Sequence, residues 1–544
     1  MCEEGNQVPI GLLIGRNCPL SLEPVEVIPS REGGPYAYRT RVGWLVSDAI
    51  GTKSSTLGST MKDNFNRCRW PAKDISTNRA FKVCFSVLNN VKDLEVEQAL
   101  KDVWNVETSE RNSEKVSLSM EDRKFLEIMK NNIRMVDGHY ELPLPFRDDD
   151  PKMPCNRKLA EKRMNSIRNR MLRDEQFHCE YSTFMKKFID SGYARIAPST
   201  KEAGWFLFHH AVFHPTKNKI RVVFDGSAEV DGVSLNNQLL QGPDLTNQMV
   251  GVFLRFRKEN VPIIGDLESM YCQVRVPEHQ RRYLRFLFWP NGDLSKELIV
   301  YEMCVHIFGA VSSMGCVNYA LHKTADDNER TFGSEAAKTL KEDFYVDDMG
   351  TSVENDQKAI ELIHNIDQMC SAGGFNLTKI MCCSSAVMET VSPLKRSESA
   401  KLFNLKGPST VERPLGVLWT IENDSLGFNI TFKSGALTRR GILATISSVY
   451  DLLGIASPFL LKGRKILQEI TGEKVSWDAD VEDRHVCAWN TWKEDLLLLN
   501  QLTFPRCYKP PNFGRVLDSS LHVFGDGCKV GCPKKPLFSQ INPV

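Results

Sequence analysis

The stretch FYVDDM, residues Phe344–Met349, places two adjacent carboxylates between aromatic and apolar residues, and Gly350 follows it. This pattern predicts a strand, a tight turn and a second strand. Because like charges in contact disfavour the ionised forms, the pair Asp347 and Asp348 favours a bound cation. Mg²⁺ is a hard cation that prefers oxygen ligands. Short polar side chains are also common in solvated turns, and that alternative stays open for an Asp-Asp pair alone.

A third carboxylate lies upstream, near the end of a short apolar run. Asp266 belongs to Val261–Leu267, a pattern typical of a buried strand, and Tyr271 follows five residues later. Two strands that each carry acids near one end would bring Asp266 close to Asp347 and Asp348. Two metal ions about 3.5–4 Å apart would then hold the attacking and leaving oxygens of an in-line displacement. The residues thus indicate phosphoryl chemistry on nucleotides.

Further segments follow one another in a characteristic order along most of the chain. They are KIRVVFDGSA (219–228), SLNNQLLQGPDL (234–245), DLESMYCQV (266–274), RFLFW (285–289), FGAVSS (308–313), FYVDD (344–348) and GGFNLTK (373–379). In order and spacing they resemble the reverse transcriptase of the Pao/BEL class of long-terminal-repeat retrotransposons. The resemblance implies an α+β fold of the right-hand polymerase type, with fingers, palm and thumb.

The same resemblance implies an RNA-directed DNA polymerase that transfers a nucleotide from a dNTP to a primer 3′-hydroxyl. Its implied catalytic residues and metal ligands are Asp266, Asp347 and Asp348, which hold two Mg²⁺ ions, with Mn²⁺ as the alternative. The implied partners are an RNA or DNA template, a nucleic-acid primer and dNTPs, with no membrane. The implied location is the cytoplasm or an intracellular particle.

The nucleotide-binding residues that the resemblance implies are Lys219, Arg221, Leu267, Tyr271 and Lys379. Lys219 and Arg221 would contact the triphosphate, for which an arginine offers paired donors. The Leu267 carbonyl would complete a metal coordination sphere, Tyr271 would stack under the sugar, and Lys379 would give a proton to pyrophosphate. The alternatives are an exposed strand face for the first two, a core aromatic for Tyr271 and a surface lysine for Lys379.

The chain is too long for a single core, so several domains are expected. We predict a remnant of a retropepsin-like aspartic protease (1–50), a linker with helices (51–150), fingers and palm (151–395), thumb and connection (396–512) and a truncated ribonuclease H-like start (513–544). The region 396–512 includes a segment that resembles the family region named Pao retrotransposon peptidase. Neither protease nor ribonuclease H activity is expected, because the Asp-Thr/Ser-Gly box is absent and only Asp526 matches a ribonuclease H metal ligand.

Composition adds limits rather than an identity. The net charge is +1, yet residues 152–173 hold eight basic side chains against one acid, a face that suits either phosphates or bulk solvent. The 16 cysteines form no Cys-x-x-Cys pair, which is typical of free thiols in a reducing intracellular compartment. No apolar run approaches the roughly 20 residues of a membrane span.

Local patterns predict several helices. Ser119 with Asp122 indicates a capped helix start, and apolar periodicity predicts helices over 159–171 and 177–189. A capping box from Thr351 to Glu354 is predicted to start the helix whose apolar face contains Ile360, Ile363, Ile366 and Met369. Gly373 and Gly374 are predicted to end that helix.

Two other functions remain open on the sequence. A catalytically inactive, nucleic-acid-binding fragment of a retroelement polyprotein is one, and the truncated ends of the resemblance favour it. Ser312-Ser313-Met314 and residues 380–384 also depart from the family pattern, and the first departure bears on catalytic efficiency. An aspartic protease is the other, although its catalytic box is not found. The three intact carboxylates favour the polymerase.

Overall fold

The computed structural model describes residues 26–28, 36–40, 43–47, 118–198, 204–213, 220–403, 411–432, 436–473, 476–509, 518–525 and 534–541. The chain divides into two compact units, one of residues 118–513 and one of residues 1–117 with 514–544. Much of the predicted protease remnant, most of the predicted linker, Lys219 and Asp526 lie outside the described residues.

The described α-helices all lie in the larger unit. They are α1 (Met120–Asn132), α2 (Arg157–Met171), α3 (Glu175–Asp190), α4 (Leu235–Gln238), α5 (Met249–Phe256), α6 (Ser313–Phe332), α7 (Ser334–Glu342), α8 (Asp356–Ala372), α9 (Ser385–Thr390), α10 (Glu398–Phe403), α11 (Arg439–Ser447), α12 (Ser457–Gly472) and α13 (Asp483–Leu497). None of the helices in the described ranges is long and apolar enough to cross a membrane.

The strands are mostly short. They are β1 (Glu26–Ile28), β2 (Tyr36–Thr40), β3 (Gly43–Ser47), β4 (Arg134–Val136), β5 (His139–Glu141), β6 (Ala194–Ile196), β7 (Phe208–Phe213), β8 (Ile220–Asp225), β9 (Val261–Leu267), β10 (Arg285–Phe288), β11 (Ile299–Met303), β12 (Phe344–Tyr345), β13 (Asp348–Val353), β14 (Leu377–Cys382), β15 (Val411–Glu412), β16 (Leu418–Thr420), β17 (Ser425–Gly427), β18 (Thr503–Pro505), β19 (Asp518–Gly525) and β20 (Lys534–Ile541).

The central sheet of the larger unit has the order β12-β13-β9-β14, and its neighbouring strands are antiparallel. Strand β9 is buried at every position except the partly exposed Asp266, as expected for a strand with neighbours on both sides. Helices α5 and α8 pack against these strands, and α8 also packs on α6 and α7. Ile263, Leu321 and Ile366 belong to the core that this packing creates.

Two further apolar cores complete the larger unit. One joins α2 and α3 to the sheet β10-β11-β6 and the ribbon β7-β8, with Tyr181 and Phe286 fully buried in it. The other joins α11, α12 and α13, and Trp492 lies in it. A mixed α and β fold is therefore confirmed for the described part of the chain.

A buried arginine joins the end of the larger unit to the central sheet. Arg506 follows β18 in the sheet β15-β16-β17-β18 and is fully buried. Its guanidinium donates to the carbonyls of Phe256 (2.6 Å), Glu259 (2.9 Å) and Asn260 (2.9 Å), and to both carboxylate oxygens of Asp424 (2.7 and 2.8 Å). This one side chain therefore connects the end of α5, the loop before β9 and the second sheet.

Most of the predicted elements are confirmed, and one is wrong. Ser119 caps α1 in a reciprocal capping box with Asp122, and α2 and α3 cover the two predicted periodic stretches. Thr351 does not begin a helix: it lies within β13, opposite Ile263, and the side chain of Asn355 caps α8 instead. Pairing with the buried strand β9 outweighs the local capping pattern. The apolar face of α8 is confirmed.

In the smaller unit, the described strands form two antiparallel groups. Strands β1, β2 and β3 pair in sequence order, so the described part of residues 1–50 is a three-stranded antiparallel sheet. Strand β19 pairs with β20 over its whole length. The domain boundaries proposed from the sequence stay predictions.

Candidate active site

The hairpin between β12 and β13 places one aspartate directly opposite another. Asp348 pairs with Asp266 in the antiparallel register of β13 and β9. Residues directly opposite one another on antiparallel strands project from the same face of the sheet. The backbone N–H of Leu267 donates to the Asp347 carbonyl at 2.9 Å, which ties the turn to the end of β9. All three aspartates thus lie at one end of the central sheet.

The turn itself has an unusual backbone. Val346 has a φ of 58°, in the left-handed region that β-branched residues rarely adopt. Its side chain packs against the main apolar core, which holds the residue in this conformation. Such conformations often occur at functional sites, where the surrounding structure maintains the strain. The strained turn presents Asp347 and Asp348 in succession.

The neighbouring strand β14 supplies a cation. Its register with β9 shifts between Thr378 and Met381, and Lys379 in this irregular stretch has a φ of 51°. A bulge of this kind redirects a side chain away from the regular alternation. The Lys379 ammonium lies 2.7 Å from Oδ2 of Asp266, and the Thr378 hydroxyl donates to the Asp266 carbonyl at 3.2 Å. Lys379 therefore forms an ion pair with Asp266, which lies on β9 between the neighbouring strands β13 and β14.

The electrostatics of the site are dominated by crowded negative charge. Partial withdrawal from water, together with repulsion from Asp347 and Asp266, raises the pKa of Asp348 to about 6. Withdrawal from water and repulsion from Asp266 also raise the pKa of Asp347, whereas the charges of Lys379 and Arg221 act in the opposite direction. Shifted carboxylates with identifiable charge partners are typical of functional sites, although structural ion pairs also produce them.

An aromatic pair lies next to the carboxylates. The rings of Tyr271 and Phe308 have centroids 4.1 Å apart, and the Tyr271 hydroxyl donates to Sδ of Met314 at 3.4 Å. Burial and the charge of Asp347 raise the pKa of Tyr271 to about 12. Tyr271 is 7% exposed and belongs to the main core, whereas Phe308 is 63% exposed. Tyr271 is thus a core aromatic beside the site. Phe308, in contact with the Tyr271 ring, is exposed to solvent.

The structure brings most of the predicted site residues together. Leu267 is buried, and its backbone N–H is bonded to the turn. Arg221 is exposed on β8, and its positive charge favours the ionised form of Asp347. Sequence reasoning assigned no role to Phe308, although it quoted the segment 308–313. It also missed the contact between the Asn376 amide and Oε2 of Glu268 at 2.9 Å, which places a further carboxylate beside β9.

The donor chemistry of the site fits a hard divalent cation, because the three aspartates offer only oxygen ligands. In the described part of the chain, however, no group of three or more His, Cys, Asp or Glu side chains is arranged to hold a metal ion. The Lys379 ammonium already lies against Asp266 and supplies positive charge there. The fit to Mg²⁺ is therefore one of ligand chemistry and strand register rather than of a formed coordination shell.

Replacing Asp348 with asparagine is expected to stabilise the chain by about 1 kcal/mol at pH 7, because the amide is not repelled by Asp347 and Asp266. The shift of its pKa from 3.8 to about 6 would correspond to about 3 kcal/mol, but solvent around this exposed residue screens much of it. Since the folded pKa lies above the unfolded one, acidification stabilises the parent chain. The advantage of Asp348→Asn should shrink as the pH falls through 6.

Urea unfolding at pH 7 and at about pH 5 measures this effect. Asp149→Asn, in an exposed loop, is the matched control and should change stability by less than about 0.5 kcal/mol. A destabilised Asp348→Asn variant at pH 7 would contradict the repulsion described above.

A family match connects the carboxyl-terminal part of the chain to retroelements. Residues 438–532 match the model described as the Pao retrotransposon-like RNaseH-like domain. This match confirms the resemblance to a Pao-type retroelement Pol fragment. The description names an RNaseH-like domain, whereas the sequence interpretation assigned most of these residues to thumb and connection. Helices α11, α12 and α13 are the main described elements within the matched range.

Comparison with solved structures adds a distant similarity. The foamy viral protease-reverse transcriptase in complex with double-stranded DNA has 12% sequence identity and a TM-score of 0.43, over 93% of this chain and 73% of that one. This degree of similarity defines neither an activity nor the role of any residue. No curated protein matches the chain.

Proposed function

We propose that this chain is the RNA-directed DNA polymerase part of a retroelement Pol protein. The observation that carries the proposal is the register that sets Asp348 opposite Asp266, with Asp347 bonded to the end of the same strand. Three carboxylates distant in sequence thereby share one end of a buried antiparallel sheet. The Pao-type family match downstream supports a nucleic-acid-processing context for this site.

In the proposed reaction, a primer 3′-hydroxyl attacks the α-phosphorus of a dNTP, the new phosphodiester bond forms and pyrophosphate leaves. Asp266, Asp347 and Asp348 would hold Mg²⁺, with Mn²⁺ as the alternative. The bound ions supply Lewis-acid stabilisation of the charge that develops on the reacting oxygens. The protein otherwise contributes position and fixed charge, which suffice for much of phosphoryl-transfer catalysis.

The remaining residues bind the nucleotide. Arg221, on the exposed side of β8, and Lys219 bind the triphosphate, and Tyr271 packs against the sugar. The Leu267 carbonyl would be a further oxygen ligand for a bound metal ion. Lys379 moves from Asp266 toward the leaving pyrophosphate and gives it a proton from Nζ. Its pairing with Asp266 in the absence of nucleotide keeps this cation at the site.

The elements of the larger unit can be assigned to the subdomains of a polymerase. We assign the palm to the sheet β12-β13-β9-β14 with α5 to α8, and the fingers to α2, α3 and the strands packed on them. Helices α11, α12 and α13 are the thumb and connection, which would brace the duplex. Template, primer and dNTPs are the partners, and the proposed location is the cytoplasm or an intracellular particle.

Primer extension tests the proposal. The full chain should extend a DNA primer on an RNA template with Mg²⁺ and dNTPs, and EDTA should stop the reaction. Omission of one dNTP should halt extension at the first template base that requires it, because base choice comes from pairing. Absence of templated extension under both Mg²⁺ and Mn²⁺ would contradict the polymerase assignment.

One observation favours the second candidate, an inactive nucleic-acid-binding fragment. The Lys379 ammonium lies 2.7 Å from Oδ2 of Asp266, so a cation of the protein already neutralises one of the three carboxylates. Duplex binding without any extension would establish this second function. Binding measured by fluorescence anisotropy on the same primer–template separates the two.

A further inference from the structure

The outward face of α2 carries basic and amide side chains and no carboxylate. Lys158, Lys162, Asn165 and Asn169 are exposed on the side of the helix opposite its buried residues. Solvent-exposed helices usually alternate opposite charges at i and i+4. The one acid of α2, Glu161, instead pairs on the flank with Arg157 at 2.9 Å.

The other arginines of α2 are held by the protein. The Arg163 guanidinium lies 3.9 Å from the ring centroid of Phe208, and that of Arg170 lies 4.1 Å from Phe177. Arg168 donates to the Leu294 carbonyl at 3.0 Å. Lys158 and Lys162, by contrast, make no ion pair with any residue in the described ranges. Their positive charge is therefore available to a partner.

The basic face is connected to the carboxylate site through the ribbon β7-β8. Arg163 contacts Phe208 at the start of β7, and the Arg170 guanidinium lies 5.1 Å from the ring centroid of Phe213 at the other end of that strand. Val212, next to Phe213, pairs with Arg221 of β8. Strand β8 also reaches the site, because Gly309 packs directly against the Phe224 carbonyl and the neighbouring ring of Phe308 contacts Tyr271. Helix α2 therefore packs on the ribbon β7-β8, which reaches the carboxylate site. In the proposed function, Arg221 on this ribbon binds the incoming nucleotide.

We propose that the face formed by Lys158, Lys162, Asn165 and Asn169 binds the sugar–phosphate backbone of the unpaired template strand ahead of the site. This inference rests on the proposed function, since the incoming nucleotide separates finished duplex from unpaired template. Lysines without a carboxylate partner neutralise phosphates and release counterions, and asparagine amides donate to phosphate oxygens. No base is read, as suits a surface that must accept every template sequence.

The test is a double variant, Lys158→Gln with Lys162→Gln, which keeps helix propensity and removes both charges. The matched control is Lys338→Gln with Lys358→Gln, which removes two exposed lysines that already pair with Glu342 and Glu354. Binding is measured by anisotropy on a primer–template with a long unpaired RNA extension and on the same duplex with blunt ends, over a range of salt concentrations.

The double variant should bind the extended substrate on the order of 10-fold more weakly near 0.1 M salt and bind the blunt duplex like the parent. Its plot of log affinity against log salt should be less steep by about 1.4, the value for two lost single-strand phosphate contacts. The control variant should match the parent on both substrates, and circular dichroism should report unchanged helix content for both.

Each other outcome overturns the inference in a distinguishable way. Equal losses on blunt and extended substrates would place duplex at this face. No loss, with the parent binding both substrates, would leave the polymerase proposal intact and remove this one. Loss of binding to anionic lipid vesicles without loss of RNA binding would assign the face to a membrane surface. A parent chain that binds neither substrate would remove both proposals.

Discussion

Replacing Asp347 with asparagine is expected to reduce primer extension by about 100- to 1,000-fold at least. The amide has the shape of the carboxylate but lacks its charge, and a charge-complementary site depends on that charge. The backbone bond from Leu267 to the Asp347 carbonyl does not involve the side chain, so the turn should keep its geometry. Single-turnover extension with saturating primer–template measures the chemical step directly.

Stability and binding separate this result from misfolding. Because withdrawal from water and repulsion from Asp266 raise the pKa of Asp347, the asparagine variant should be at least as stable as the parent. It should also retain primer–template affinity. Asp149→Asn, an exposed change of the same chemistry, should extend primers at the parent rate. Extension by Asp347→Asn at that same rate would show that the carboxylates are not the catalytic centre.

Replacing Arg506 with methionine is expected to cost about 3–5 kcal/mol of unfolding free energy. Methionine fills much of the volume but leaves the carbonyls of Phe256, Glu259 and Asn260 without their donor, and the Asp424 carboxylate without its counter-ion. Buried acceptors that lose a partner carry the full desolvation penalty. The indole N–H of Trp419, which also donates to Asp424 at 2.9 Å, cannot replace five bonds.

Urea unfolding of the full chain, followed by circular dichroism, measures the loss. Arg506→Lys should recover only part of it, because a single ammonium cannot reproduce the planar set of donors. Arg173→Met, at an exposed position, is the control and should change stability by less than about 0.5 kcal/mol. If Arg506→Met lowered the unfolding free energy by less than about 1 kcal/mol, the contacts of Arg506 with α5, the loop before β9 and Asp424 would have to be solvated in solution.

Two strands of the central sheet, β9 and β12, were predictable from their local residue patterns. The apolar run of β9 and the aromatic approach to Asp347 indicate buried strands, and the acids interrupt them where the sheet meets solvent. Local patterns failed where a distant strand competed, as at Thr351, whose capping chemistry is overruled by pairing with Ile263. Propensity acts over a few residues, and strand pairing is settled by tertiary contacts.

Two features of the site depend on contacts that no local pattern contains. The ion pair of Lys379 with Asp266 requires the irregular register of β14, which becomes visible only once three strands are aligned. The bonds of Arg506 span roughly 250 residues of sequence, and nothing in its immediate neighbours distinguishes it from a surface arginine. The exposed position of Phe308 beside Tyr271 likewise follows from the fold.

The long-range bonds of Arg506 impose an order on folding during synthesis. The carbonyls at the end of α5 emerge from the ribosome well before the guanidinium that satisfies them. Until that point the nascent chain can form strand β9 and the hairpin at 344–353 but must leave this junction open to water. The junction beside the central sheet is therefore completed only when nearly the whole unit has been translated.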